Sequence, residues 1–281
     1  DAVTINLNEG ITLIDDYAFY KTQSFRIMNP DSDYSEENIN TFGINIPVSV
    51  TTIGDYAFAD MNALTRLRTP SQDMEFETYV FAYNHNLLNL KLTNKLIGEH
   101  MFDSCDNKNF TTLVIPKITH KVLANISNNS PLIAIDEING DIRPYAFANC
   151  TGLTTISFEI GDNDTNGANY LGKYMFANCT GIEELYVTDN IKYIDEAALY
   201  MTTSLHTLVL PFVGAEVGIE GTEESLFGWI FGYNASASSD LVEQVTQIRN
   251  IDDHTFDVMT SIPKGLVNLT VTDETVVAYG A

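Results

Sequence analysis

Basic residues are scarce: 14 lysines and arginines stand against 38 aspartates and glutamates in 281 residues, a formal charge of −24. A field of that sign repels phosphate backbones and anionic lipid headgroups, which argues against nucleic-acid binding and peripheral membrane roles. Long apolar runs are missing as well, so nothing in the sequence is suited to insertion in a bilayer. The chain starts at Asp1 rather than at a methionine, from which we expect removal of an N-terminal leader. The motifs of common catalytic chemistries are absent too. There is no glycine-rich phosphate loop after a strand and no Gly-x-Ser-x-Gly elbow, and His85, His100, His120, His206 and His254 contain no pair four apart that could grip zinc from one helix face. Acidic pairs such as Glu183-Glu184 and Glu223-Glu224 read as solvated charges rather than as an acid and base flanking a substrate.

What the chain has instead is a repeat. A large apolar residue precedes an aromatic or leucine anchor by five positions, as in Ile14-Asp15-Asp16-Tyr17-Ala18-Phe19 and Leu171-Gly172-Lys173-Tyr174-Met175-Phe176. The anchors are Phe19, Phe58, Phe81, Phe102, Leu123, Phe147, Phe176, Leu199, Phe231 and Phe256, spaced by 39, 23, 21, 21, 24, 29, 23, 32 and 25 residues. Periods in the low twenties indicate a solenoid.

A second signature follows most anchors: Leu87-x-x-Leu90-x-Leu92, Phe110-x-x-Leu113-x-Ile115, Leu153-x-x-Ile156-x-Phe158, Ile182-x-x-Leu185-x-Val187, Leu205-x-x-Leu208-x-Leu210 and Leu266-x-x-Leu269-x-Val271. Alternation in its last three positions predicts a short strand with one buried face. Pro47, Pro70, Pro116 and Pro211 come directly after such strands, where a missing N–H ends a hydrogen-bonded ladder. Each repeat buries only a handful of apolar side chains, worth about 1.5–3 kcal/mol apiece, against roughly 1–2 kcal/mol per ordered residue, so none stands alone. Stacking makes the array cooperative, and we expect residues 1–281 to form a single solenoid domain of about ten repeats with atypical ends.

The string Tyr145-Ala146-Phe147-Ala148-Asn149-Cys150-Thr151-Gly152-Leu153, its echo Tyr174-Met175-Phe176-Ala177-Asn178-Cys179-Thr180-Gly181-Ile182, and Ile53-Gly54-Asp55-Tyr56-Ala57-Phe58 resemble the BspA-type leucine-rich repeat. The resemblance implies an α/β repeat solenoid. The expected form is a leucine-rich-repeat horseshoe with a parallel β-sheet on its concave side and short helices or 3-10 turns on its convex side. Members of that family are mostly secreted or surface-exposed bacterial proteins, a few of them adhesins for matrix proteins, so the implied function is non-catalytic recognition.

Several positions stand out as candidates. Cys105, Cys150 and Cys179 each lie three residues after their anchor, which predicts equal environments and buried, reduced thiols that fill the same gap in successive rungs. Two before the anchors runs a column of Tyr17, Tyr56, Tyr79, His100, Tyr145, Tyr174, Trp229 and His254, broken by Lys121 and Ala197. That register points away from the anchor, and the column is read either as a shield over the rim of the core or as a platform for sugars or peptides. Asp162, Asp164 and Asn166 form the first half of a calcium-loop pattern, but Lys173 stands where the closing glutamate of an EF-hand belongs. Calcium is therefore the one cofactor considered, and otherwise none is expected. Arg66, Arg68 and Lys91 take the outward register of adjacent predicted strands and form a cationic patch on an anionic protein. Three insertions, residues 29–40, 214–225 and 233–240, leave the regular period, and edge loops of that kind carry binding functions or are simply tolerated.

The favoured expectation is a non-enzymatic extracellular module, a monomer, that binds a host matrix or surface protein or a glycan through its concave strands and edge loops. A structural spacer within a larger surface protein is the alternative. A carbohydrate-active β-helix is disfavoured because each repeat shows one clear strand and not three.

Overall fold

The computed structural model describes residues 3–5, 7–23, 25–27, 43–44, 46–68, 74–91, 96–115, 141–158, 170–233, 239–249 and 255–272. Two sets of short parallel strands run along the stack. The first contains β1 (Val3–Ile5) beside β3 (Phe25–Ile27), the triplet β4 (Gly43–Ile44), β6 (Arg66–Arg68) and β8 (Asn89–Lys91), the pair β10 (Thr112–Ile115) and β12 (Thr155–Phe158), and the triplet β14 (Glu184–Tyr186), β16 (Thr207–Leu210) and β19 (Asn268–Val271). These are the alternating segments. Leu67, Leu113, Leu185 and Leu208 are buried, while Thr155, Ser157, Glu184 and Tyr186 beside the equivalent positions face solvent.

The second set is β2 (Leu13–Ile14), β5 (Thr52–Ile53) and β7 (Glu75–Phe76), then β9 (Leu96–Ile97) with β11 (Asp141–Ile142), and β13 (Tyr170–Leu171) with β15 (Tyr193–Ile194). Its strands end on the apolar residue five before each anchor. The repeat therefore carries two strands, one more than the sequence pattern showed, because a two-residue strand is too short to display alternation.

Between the two sets each rung makes a tight turn; of the short helices or 3-10 turns expected on that side, the described repeated rungs form no helix. Alternate residues donate within the turn, as Ala18 to Asp15, Tyr20 to Tyr17 and Thr22 to Phe19. The residues between them donate to the next rung, Tyr17 to Asp55 (2.8 Å), Phe19 to Ala57 (2.7 Å) and Lys21 to Ala59 (3.0 Å), and the pattern recurs down the stack. Such a turn satisfies its backbone without a helix. Its cost is conformational. In seven rungs the residues two before and two after the anchor have positive φ, from Tyr17 (55°) and Lys21 (58°) to Ala197 and Met201 (both 57°), and none of the fourteen is glycine. Each costs about 1–2 kcal/mol relative to the right-handed region, a cost offset by the inter-rung bonds it aims. No α-helix occurs among the described residues; two 3-10 helices span Glu223–Ser225 and Phe227–Phe231.

The anchors form the spine of the core. Phe19, Phe58, Phe81, Phe102, Phe147 and Phe176 stack in sequence with ring centroids 5.1–5.9 Å apart. Leu199 and Phe231 continue the buried column. Two expected anchors remain. Leu123 lies outside the described residues, and Phe102 stacks directly on Phe147 (5.3 Å) as β9 pairs directly with β11. Phe256 is 38% exposed and lies in β18 (Thr255–Pro263), which pairs antiparallel with β17 (Leu241–Arg249). That hairpin packs on the 3-10 helix at 227–231, where the Thr260 side chain fills the space that a Cβ on Gly228 would need.

Candidate binding surfaces

The outward face of the first strand set is the expected recognition surface. Register places Arg66 opposite Asn89 and Arg68 opposite Lys91, with Leu67 opposite Leu90 between them. The three cations are thus neighbours in the backbone of β6 and β8. Farther along, the same face carries Thr155 and Ser157, then Glu184 and the 55%-exposed Tyr186, whose hydroxyl donates to Glu184 (3.0 Å). Beside them His206 Nε2 lies 3.7 Å from Glu183. The described side chains of this face pass from hydroxyls to a tyrosine–carboxylate end.

The turn side carries the aromatic column. Tyr17, Tyr56, Tyr79, His100, Tyr145 and Tyr174 stack with centroids 4.2–5.2 Å apart and planes within 12° of parallel. Stacking covers the ring faces with one another and leaves edges and hydroxyls outward, so a sugar cannot lie flat on successive rings along the column. Burial, followed by the neighbouring phenols and carboxylates, raises the hydroxyl of Tyr79 to about 12 and shifts Tyr56, Tyr83, Tyr145 and Tyr174 in the same direction. Trp229 leaves the expected column. It is buried, and its indole Nε1 donates to the Ile194 carbonyl (2.9 Å), because its rung is a 3-10 helix and not the repeated turn. His254 lies outside the described residues.

His100 sits in the middle of that column with Nδ1 2.7 Å from Asp103 Oδ2. Asp103 is a buried carboxylate whose other oxygen accepts from Ser104 Oγ (2.7 Å) and Asn149 Nδ2 (2.8 Å). Burial by itself raises its pKa, but the bonds from His100, Asn149 and Ser104 outweigh that and hold the carboxyl below its usual range. Asn178 extends the network by donating to Asn149 (2.8 Å).

The cysteines share one environment. All three are buried and free, and each thiol lies within hydrogen-bond reach of an anchor carbonyl on an earlier rung: Cys105 of Phe81 (3.4 Å), Cys150 of Phe102 (3.2 Å) and Cys179 of Phe147 (3.2 Å). Burial pushes Cys105 and Cys179 up to about 12 and Cys150 well above its ordinary value. Asn84 takes the same register, and the sequence reading missed it. Its amide donates to the carbonyls of Phe58 (3.0 Å) and Phe81 (2.6 Å) and accepts from Met61 N–H (2.9 Å). Its place three residues after an anchor was the available signal.

The segment with Asp162, Asp164 and Asn166 lies outside the described residues, as does the insertion at 29–40. Among the described residues no cluster of three or more His, Cys, Asp or Glu side chains is arranged to hold a metal, and no helix is long and apolar enough to cross a membrane. The insertion at 214–225 is built into the stack, since Ala215 is buried, accepts from Ile194 N–H (2.8 Å) and donates to Glu224 (2.8 Å). Burial, then Glu216, Asp195 and Glu223, raise the Glu224 carboxyl there.

Repeated rungs with these anchors match the family described as BspA type leucine rich repeat region, in six copies, over residues 33–133 and 117–227. The chain belongs to the BspA-type leucine-rich repeat family. Among solved structures it is similar to a leucine-rich repeat protein from Bacteroides ovatus, at 17% identity and a TM-score of 0.49, over 74% of this chain and 49% of that one. A leucine rich cell surface protein from Faecalibacterium prausnitzii gives 16% and 0.36 over 83% and 60%, and a leucine-rich repeat protein from Eubacterium ventriosum 12% and 0.33 over 90% and 87%. The chain spans about half the length of the Bacteroides ovatus protein. No curated protein matches it.

Proposed function

We propose that this BspA-type chain is a non-catalytic, extracellular or cell-surface recognition module. It binds a host matrix or surface protein, or a glycan, through the outward face of the first strand set. The observation that carries the reading is the register of Arg66, Arg68 and Lys91 on adjacent parallel strands. Like charges directly across a ladder destabilise it by a few tenths of a kcal/mol or more, roughly 0.2–1. Strand alternation gives the three positions the face opposite buried Leu67, the face that Thr155, Ser157 and Tyr186 share farther along. An anionic patch on the ligand would relieve the repulsion. The family is the support for a surface location.

The test is binding of the purified chain to immobilised fibronectin, fibrinogen, collagen and mucin at physiological salt, beside an R66S/R68S/K91S variant. Saturable binding that falls in the variant supports the reading. Binding that the variant retains in full moves recognition to another surface, and no binding to any of the four favours a spacer.

A further inference from the structure

A second surface has the opposite charge. In the first four turns, residues 15–22, 54–61, 77–84 and 98–105, seven carboxylates (Asp15, Asp16, Asp55, Asp60, Glu77, Glu99, Asp103) stand against a single lysine, Lys21. The same turns carry five tyrosines packed together. Tyr17 stacks on Tyr56 (5.2 Å) and Tyr56 on Tyr79 (4.8 Å); Tyr20 meets Tyr17 (5.4 Å) and Tyr56 (6.1 Å) edge-on, and Tyr83 lies beside Tyr79 (6.2 Å). Tyr17 is 53% and Tyr20 36% exposed, so this is an accessible aromatic cluster and not core.

What such a surface takes is shown by the cations it already holds. Lys21 Nζ lies 5.1 Å from the Tyr20 ring centroid and 3.8 Å from Asp60 Oδ2. At the other end of the column Lys173 Nζ lies 5.8 Å from the Tyr174 ring and 2.6 Å from Glu196 Oε2. In both places one ammonium sits between a tyrosine face and a carboxylate. Between them Asp55 precedes Tyr56 and Glu99 precedes His100; Asp55 accepts from the Thr78 N–H and hydroxyl (both 2.7 Å), and no ion pair to either acid occurs among the described residues. Aromatic faces and carboxylates attract the same sign of charge; within the column the faces cover one another, so the contact falls on the exposed Tyr17 and Tyr20 at its end, whose side chains have few torsions to order. We infer that the turn face over these four rungs docks an arginine- or lysine-rich segment of a partner protein. Arginine is preferred over lysine, because its planar fork both stacks on a ring and pairs with a carboxylate.

The experiment is fluorescence anisotropy of labelled nona-arginine, nona-lysine and a neutral glycine–serine peptide with the purified chain at about 0.15 M salt. Three variants accompany it: Y17A/Y20A, D16N/E99Q and the remote, exposed pair E216Q/E220Q. Nona-arginine binds most tightly, Y17A/Y20A and D16N/E99Q each weaken it about tenfold, and E216Q/E220Q changes it less than twofold. Circular dichroism shows that the variants keep their fold. If E216Q/E220Q loses as much as the tyrosine variant, attraction is to net charge alone and the proposal fails. It fails equally if nona-arginine binds no better than the neutral peptide. The R66S/R68S/K91S variant binds nona-arginine like the parent chain, which separates this surface from the strand face.

Discussion

At the scale of single residues, register determines environment more than residue type does. Met61, Asn84, Cys105, Cys150, Cys179 and Thr202 all fall three after an anchor and are all buried. The polar members spend their donors on anchor carbonyls, Thr202 on Leu199 (2.8 Å) just as the thiols and Asn84 do on theirs. The equal spacing of the cysteines was legible in the sequence; their bonding was not, since nothing in a one-dimensional pattern tells which carbonyl a buried thiol meets. The same positions yield a pH prediction. Folded Cys105 and Cys179 titrate near 12 against an ordinary 9.0, so the folded state prefers the protonated thiol. Their contribution to stability is complete below pH 9 and is progressively lost as pH rises toward 12. Urea midpoints should therefore decline over that window, with a shallower decline in C105A/C179A. At pH 8 a thiol-specific reagent should label no cysteine in the folded chain and all three in denaturant; rapid labelling without denaturant would contradict the burial.

At the scale of elements, the alternating segment after the anchor located the first strand set, while the apolar residue five before the anchor marked where the second set ends without being read as a strand. The sequence did not reveal that two-residue strands pair, or that the turn between them is held open by residues at positive φ. Tyrosine, asparagine and aspartate fill nine of those fourteen positions, and Lys21, His100, Ser104, Ala197 and Met201 the rest, where the usual signal for left-handed backbone is glycine. The failure at Phe256 has a physical cause: an apolar residue at the right spacing fits the template whether or not a neighbouring rung exists to cover it. The two phenylalanines therefore make a matched test. Phe102, between Phe81 (5.7 Å) and Phe147 (5.3 Å), should cost about 3–5 kcal/mol when replaced by alanine. Phe256, exposed on the hairpin, should cost less than about 1 kcal/mol. Chemical denaturation of F102A and F256A decides it, and comparable losses would return Phe256 to the column of anchors.

At the scale of the whole molecule, the stack has a strand side, where β6 and β8 hold the backbone of Arg66, Arg68 and Lys91, and a turn side of tyrosines and carboxylates. Net charge alone pointed away from polyanions; it is the distribution of the few cations that makes an anionic contact on the strand face reasonable. The patch is an expectation from the alternating template, and the structure adds that Arg68 and Lys91 are paired in the backbone ladder. The turn face was half legible. Its column of aromatics could be read off, whereas Tyr20 and Tyr83, which fall outside the column, join the cluster through packing on Tyr17 and Tyr79 of their own turns and, for Tyr20, on Tyr56 of the next rung. The most direct measurement is hydrogen–deuterium exchange of the chain with and without saturating amounts of whichever immobilised ligand it binds. Slowed exchange in 66–68 and 89–91, with 241–249 and 255–263 unchanged, is the predicted result; protection confined to the hairpin would contradict recognition by the strand face.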